Sequence, residues 1–312
     1  MALPSTTQST NVPTTTPPLP SFSLPGTFVG KRPPLKTQGI KTALVGFIGR
    51  NIQWNGEGHW IEPFAGTCSV ALNLAPPRAL LADSNPHIIG FMKGLQDGSL
   101  DPGMIRSHLE KEGALLLDEG AEHYYRVRKR FNTYASPLDF LFLVRSCFNG
   151  LMRFNKSGGF NVPFCKNPSR FSGPQISKIT NQAGWAQEII RSRKWEFVVC
   201  DWRETIAQAG PNDFVYLDPP YVGRHTDYFG KWEDESATSL PKKVQDIPGG
   251  YAASMWASTE TRSNEDHLAE WNCVIRTTTH RFQVGPKTEN RPKLLEALLI
   301  KPGYQCAKKP EV

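Results

Sequence analysis

A chain of 312 residues with 39% hydrophobic side chains can bury a core for one large or two ordinary domains without disulfide support. No apolar run approaches the roughly 20 residues that span a bilayer, so a soluble protein with no membrane partner is expected. A formal charge of +7 permits a polyanionic partner without establishing one.

Residues 1–30 form a Pro, Ser and Thr tract with too few large apolar groups to fold alone, and a disordered tail is expected there. The start is free of acids, as organelle transit peptides are, but it lacks arginine until Arg32 and shows no amphipathic pattern.

HWIEPFAGTCSVALNL (His59 to Leu74) passes from a short apolar run through a Pro-Phe-Ala-Gly turn into a helical pattern, with Ser69 placed to cap the helix. Strand, tight loop and helix are predicted in that order. A loop of this kind lets backbone pass close to a ligand at Phe64 and Gly66. The next strand, Ala79 to Ala82, ends at Asp83, and an acid at a strand end about 20 residues after a glycine turn commonly bonds a ribose diol. Glu62 and Asp83 taken singly read equally well as a loop acid and a turn former; their spacing raises the pair. The glycines do not make the Gly-x-Gly-x-x-Gly of a dinucleotide site, which favours a nucleoside ligand without pyrophosphate, such as S-adenosylmethionine.

Between residues 95 and 195 the alternation of strand and helix stops. Residues 103–133 read as one or two helices with a basic end, RVRKRF (Arg126 to Phe131), a run that is usually only a solvated face, and LDFLFLV (Leu138 to Val144) as an apolar helix. RSCFNGLMRFNKSGGFNVPF (Arg145 to Phe164) is predicted to be a hairpin that carries Arg145, Phe148, Asn149, Arg153, Asn155 and Asn161. Arginine and asparagine make bidentate contacts to base edges, and a projecting phenylalanine can wedge between bases. A plain surface hairpin is the alternative.

After Trp195 the α/β rhythm resumes. WEFVVCDW is a strand closed by Asp201 and Trp202, where the indole packs on a nucleoside ring or in the core. FVYLDPPYVGRHTDYF (Phe214 to Phe229) begins as a buried strand that Pro219 and Pro220 forbid from continuing. Asp218 is thereby held at the carboxyl end of the sheet beside Tyr221. A bare Asp-Pro turn carries little, but the tetrapeptide suits a planar amine: the carboxylate and a carbonyl accept from the amino group while the tyrosine face stacks on the ring. Enzymes that modify a base take it out of the duplex and read it in this way. GYAASMWAS follows, and HRFQVG with LLEALLIKPG are predicted to be a terminal antiparallel pair.

Six cysteines, at positions 68, 147, 165, 200, 273 and 306, lie far apart with no Cys-x-x-Cys. Reduced cytoplasmic thiols and no metal site are expected. None follows a proline, so the Pro-Cys nucleophile of carbon-5 cytosine methylation is absent as a dipeptide.

KTQGIK (36–41), EPFAGTCS (62–69), ADSN (82–85), the CFNGLMRFN and GFNVPF arms of the hairpin, VVCDW (198–202), DPPY (218–221) and EALLIKPG (296–303) occur in that order. Over roughly residues 33 to 302 the chain resembles the Dam-type (D12 class, class α) DNA adenine-N6 methyltransferases. The resemblance implies a Rossmann-like, mostly parallel sheet with one antiparallel strand and an inserted, mainly helical target-recognition domain. It divides the chain into a catalytic part at 31–94, a target-recognition domain at 95–195 and a second catalytic part at 196–312. It places Thr37, Lys41, Glu62, Phe64, Gly66, Asp83, Asp201, Trp202 and Asp218 at the S-adenosylmethionine site, and Asp218, Pro219, Pro220 and Tyr221 at the catalytic motif. Lys36, Arg145, Phe148, Asn149, Leu151, Arg153, Asn155, Asn161 and Pro163 fall at DNA-contacting positions. Thr37 stands where the family usually has an aromatic, Ile40 replaces a glycine and Cys68 a small residue; Arg224, His225 and Tyr228 after DPPY are also unlike the best-known members. The implied partners are double-stranded DNA, a GATC-like target above others, and in some members a cognate restriction endonuclease; a monomer in bacterial or phage-infected cytoplasm is expected. The rival readings are methylation of the exocyclic amine of cytosine, which usually appears with serine in place of Asp218, and a DNA-binding homologue that has lost catalysis. Methylation of RNA or of protein amides is a more distant rival, since those enzymes usually carry asparagine at that position and lack the hairpin.

Overall fold

The computed structural model describes residues 28–221, 234–259, 261–281 and 293–307. Residues 1–27 of the expected tail, and Arg224, His225 and Tyr228, lie outside the described residues.

A 3-10 turn at Lys41–Ala43 leads into α1 (Val45–Asn51), and then come β1 (Trp60–Glu62), α2 (Ser69–Leu74), β2 (Arg78–Asp83) and α3 (Pro86–Asp97). Helices α4 (Pro102–Glu119), α5 (Ala121–Tyr134), α6 (Pro137–Ser146) and α7 (Gly173–Arg191) follow before the sheet resumes with β3 (Lys194–Val199). The remainder is α8 (Trp202–Ile206), β4 (Phe214–Leu217), α9 (Asp234–Gln245), β5 (Gly250–Ser258), α10 (Glu265–Ala269), β6 (Val274–Arg281) and β7 (Lys293–Ile300). The strands make one sheet in the order β3-β2-β1-β4-β5-β7-β6. Strand β7 runs against both of its neighbours, and the other strands point the same way. This is the expected α/β class, a mostly parallel Rossmann-like sheet with one reversed strand.

Strict alternation builds the two faces. Trp60, Phe214 and Tyr216 turn to the side covered by the earlier helices, whereas Ile61, Val215 and Leu217 turn to the side covered by α8 to α10. Every residue of β1 and β4 is buried. Burying a side chain of this size stabilises the fold by about 1.5–3 kcal/mol. The Trp60 ring stacks on Phe214 at 5.3 Å and on Tyr216 at 5.8 Å, which locks the two central strands in register.

The structure differs from the sequence reading at two elements. The helix after the glycine loop is not capped by Ser69: Cys68 is its N-cap, in the left-handed region at φ 55°, and Ser69 Oγ instead accepts from the Lys41 amide. The last antiparallel pair begins earlier than HRFQVG, of which Phe282 to Gly285 lie outside the described residues, because Val274 to Thr279, β-branched at every position but Arg276, already pair with β7.

The helices between α3 and β3 carry a buried ion cluster. Gly120, at φ 59°, separates α4 from α5. On their inner faces Arg130 makes a two-pronged bond to Asp139 of α6, at 2.6 and 2.8 Å, and reaches Glu112 of α4 at 3.1 Å. His108 and His123 close the cluster at 3.3 Å from Asp139 and 2.9 Å from Glu112. Burial would push the Asp139 carboxyl up, but Arg130 and His108 beside it hold it below the ordinary carboxylate range. The pair's stabilisation is therefore present above the ordinary carboxylate pKa and is lost as pH falls through the lower folded value. Removing one member of such a pair strands the others in a low dielectric. Arg130→Met is expected to lower unfolding free energy by about 2–3 kcal/mol at neutral pH, less than for a fully enclosed pair because Arg130 is partly exposed; urea denaturation of the two proteins measures it.

Candidate active site at the carboxyl edge of the sheet

Parallel pairing of β1 with β4 and of β2 with β1 brings Glu62, Asp83 and Asp218 to the same edge. The loop after β1 is tied down by Asp83, whose Oδ2 accepts from the Gly66 amide and whose Oδ1 accepts from Asn85, both at 2.8 Å. Gly66 has φ 48°, and a Cβ built there would meet no atom within 4 Å. The backbone at this glycine is thus open for a ligand to approach. Burial pushes the Asp83 carboxyl up, and its two amide bonds oppose that shift.

Glu62 is fully enclosed and accepts from Trp60 Nε1 at 2.8 Å. Burial pushes its carboxyl up to about 8. Phe64 stacks on Trp202 at 6.1 Å, and the Arg203 guanidinium lies over the Trp202 ring at 4.6 Å. The Trp202 indole is buried beneath the loop. Strand β3 ends at Val199, so Asp201 is not a strand residue; it caps α8 and accepts from the Arg203 amide at 2.8 Å.

Asp218 follows the last residue of β4. The Lys41 ammonium sits 2.7 Å from its Oδ1, donates to the Gly39 carbonyl at 3.0 Å, and lies 5.0 Å from the centre of the Tyr221 ring. Burial pushes Asp218 up and Lys41 opposes it. Thr37 is half-exposed on the turn that leads to Lys41. The Tyr221 hydroxyl donates to Glu296 Oε2 at 2.9 Å, and Glu296 is buried in the reversed strand β7. Reading the sequence missed Glu296 as a site residue, although a lone acid in the apolar run LLEALLI was a signal.

The segment from Arg145 to Phe164 folds back on itself as an irregular hairpin. Bridges join Cys147 to Phe164 and Phe154 to Phe160, and the Phe148 amide donates to the Pro163 carbonyl at 2.8 Å. Phe148 and Asn149 stand exposed at one end, beside Leu151 and Pro163. Lys36 lies against Gly150 in the same place. Arg153 Nε donates to Asn161 Oδ1 at 2.9 Å, which holds those two side chains together across the arms. Asn155 spends its side-chain oxygen on the amides of Ser157 and Gly159 and so shapes the turn. Arg145 is turned inward, where it donates to the Pro33 and Pro34 carbonyls and to Gln182; burial pushes its guanidinium down to about 10.

A mostly parallel sheet whose carboxyl edge combines an open glycine loop, a strand-end acid and a proline-stopped Asp-Tyr pair defines a nucleoside-dependent group-transfer enzyme. A sequence profile of the D12 class N6 adenine-specific DNA methyltransferases matches residues 38–273, and the chain belongs to that family. The retron Ec67 DNA adenine methylase of Escherichia coli is 32% identical over 207 residues, which cover 62% of this chain and 67% of that protein. The DNA adenine methylase of Vibrio cholerae O395 is 34% identical over 192 residues, 60% of this chain and 64% of that protein. That of Serratia marcescens is 35% identical over 225 residues, 67% and 77%. The chain thus spans about two thirds of the length of the first two of these relatives. The matching family is adenine-specific, which sets aside the cytosine reading.

The position of Glu62 makes stability fall with pH. Its folded value of about 8 exceeds the ordinary 4.5, so the folded state binds the extra proton and loses stability as pH rises between those values. Glu62→Gln is expected to flatten that fall and to leave the variant more stable than the parent at pH 9; unfolding free energies measured along a pH series test it.

Proposed function

We propose that this chain transfers a methyl group to the exocyclic N6 amine of an adenine drawn out of double-stranded DNA. The observation that carries the reading is a nitrogen donor already seated at the acceptor: the Lys41 ammonium rests on Asp218 and over the Tyr221 ring. An amine on a planar ring suits the same two features, with N–H on the carboxylate and the ring against the aromatic face. An entering base takes over the contact that Lys41 holds.

Residues Thr37, Lys41, Glu62, Phe64, Gly66, Asp83, Asp201, Trp202 and Asp218 are proposed to hold the donor, S-adenosylmethionine, with Asp83 toward the ribose. The open backbone at Gly66 and the acid at the end of β2 support the fit. When bound, this donor supplies a methyl group activated by a positively charged sulfur. The amine of adenine is a poor nucleophile because its lone pair is delocalised into the ring. Asp218 and the Pro219 carbonyl each accept one N–H, which draws the nitrogen toward tetrahedral geometry and aims its lone pair. Tyr221 holds the ring by stacking, with its own hydroxyl anchored on Glu296. Pro220 keeps the two acceptors and the aromatic in one rigid turn. The shed proton leaves through Asp218 or to water.

Residues 95–195 are proposed as the part that reads the target. Phe148 and Asn149 enter the duplex at the flipped base, with Lys36, Leu151, Arg153, Asn161 and Pro163 at base edges or phosphates around a GATC-like site. Arg145 and Asn155 contribute through the shape of the hairpin, given where their bonds go. A monomer acting in the cytoplasm of a bacterium or a phage-infected cell, with or without a companion restriction endonuclease, fits this reading. Among the described residues no helix is long and apolar enough to cross a membrane.

Incubation with labelled S-adenosylmethionine and unmodified plasmid, followed by digestion and mass analysis, is expected to yield N6-methyladenine. Label on the cytosine amine, or none, would overturn the proposal. Asp218→Ala is expected to cut turnover by about 10³-fold or more while donor binding is weakened but measurable. Glu296→Leu, which leaves the Tyr221 hydroxyl without its acceptor, is expected to lower kcat by about 10-fold with KM for the donor unchanged; steady-state kinetics of the variant checks the split.

A further inference from the structure

We propose that His87 is a positioning residue that couples the donor loop to the DNA-reading hairpin, an inference that rests on the functional reading above. A short chain of contacts joins the two. Asp83 binds the Gly66 and Asn85 amides, and the buried Asn85 in turn accepts from the His87 amide at 3.0 Å at the start of α3. The His87 ring then leaves the sheet edge and lies face to face with Phe154, at 5.3 Å and 14°. It also meets Phe131 of α5 edge-on at 4.8 Å and Phe140 of α6 at 5.7 Å.

Phe154 belongs to the outgoing arm of the hairpin, between Arg153 and Asn155. It packs edge-on against Phe160 of the return arm at 5.5 Å, and Phe160 meets Phe131 in the same manner. Phenylalanines from α5, α6 and the outgoing hairpin arm therefore meet one imidazole that follows the Asp83 turn, and Phe160 of the return arm backs two of them. Burial pushes the His87 ring down in pKa, which favours its neutral form among these apolar partners. Any shift of the Asp83 and Asn85 turn on donor binding moves the turn end of the hairpin, next to Arg153 and Asn161, through this ring. Packed side chains have discrete rather than continuous arrangements, so a small displacement is passed on instead of being absorbed.

A ring that only fills space would contribute to stability and leave the two ligands independent. A coupling ring makes each ligand change the affinity for the other by the same factor, typically about 5- to 150-fold. The test measures dissociation constants for S-adenosylhomocysteine with and without a linear fragment of a plasmid that the wild-type chain methylates, and for the fragment with and without S-adenosylhomocysteine. In the wild-type chain each ligand is expected to tighten the other by at least about fivefold. His87→Ala is expected to bring that factor to near one, with each ligand still bound alone, and His87→Phe, which keeps the stacked ring, to restore most of it. Should the alanine variant fail to fold, His87→Leu retains bulk without a ring face and is expected to lose the coupling as well. Coupling retained in the alanine or leucine variant, or absent from a wild-type chain that binds both ligands, overturns the inference and leaves the methyltransferase reading standing. A wild-type chain that binds neither ligand overturns both.

Discussion

The arrangement at the sheet edge depends on an abrupt stop. Strand β4 is buried at every position, and the backbone that follows it can neither donate nor bend as a strand would because two prolines come directly after Asp218. A carboxylate in that position faces the gap where parallel strands end and helices begin, while its own strand is clamped by the stack of Trp60 on Phe214 and Tyr216. The acceptor is rigid because the strand behind it is rigid. Tyr221 gains the same property from the other side, through a hydroxyl bonded to Glu296 in the one strand that runs backwards.

Four acids meet at this edge, and each is managed differently. Glu62 is pushed toward the neutral form and shares a bond with an indole; Asp83 is held by two amides; Asp218 is paired with Lys41; Glu296 accepts from a tyrosine. Burial raises Glu62 most, with a smaller push from Asp218, and burial followed by Glu296 and Asp218 pushes the Tyr221 hydroxyl up. Like charges so close cannot all be ionised at no cost. A ligand that brings positive charge relieves the repulsion, and a sulfonium does so without the strongly held hydration shell of an ammonium. Lys41 already does this at Asp218, where its ammonium lies 2.7 Å from the carboxylate.

Much of this was legible in the sequence, for a physical reason: strand-ending signals are local. Prolines after FVYL, glycine after EPFA and the acid after ALLA each mark a chain direction change that no distant contact can override, so the three strand ends were placed correctly. The misreadings came from choices that tertiary packing decides. Ser69 had the chemistry of a cap, but the left-handed turn at Cys68 took that place and freed the hydroxyl for Lys41. Asp201 looked like a strand-end acid and instead starts a helix, since the chain bends one residue after β3. The inward turn of Arg145 was likewise not legible, because the groups it donates to, Pro34 and Gln182, lie 111 and 37 residues away in the chain. Glu296 stood out as a lone acid in an apolar run, but its partner, 75 residues earlier in the chain, was not legible.

The end of the hairpin that carries Phe148 is held by local constraint. Asn149 has φ 54° and Gly150 follows at φ 67°, so two successive residues take the left-handed conformation that side chains ordinarily avoid. Asparagine tolerates that region better than most residues, and the glycine pays no steric penalty, but the pair persists only because its surroundings enforce it. The Phe148 amide is bound to the Pro163 carbonyl, and Lys36 packs over Gly150 so closely that a Cβ would lie 2.9 Å from its side chain. With the backbone so constrained, the Phe148 ring is about half exposed although it is large and apolar. An apolar ring held outward on a turn this tight has no partner within the described chain to justify its exposure, and a stack of bases is a surface into which it can go.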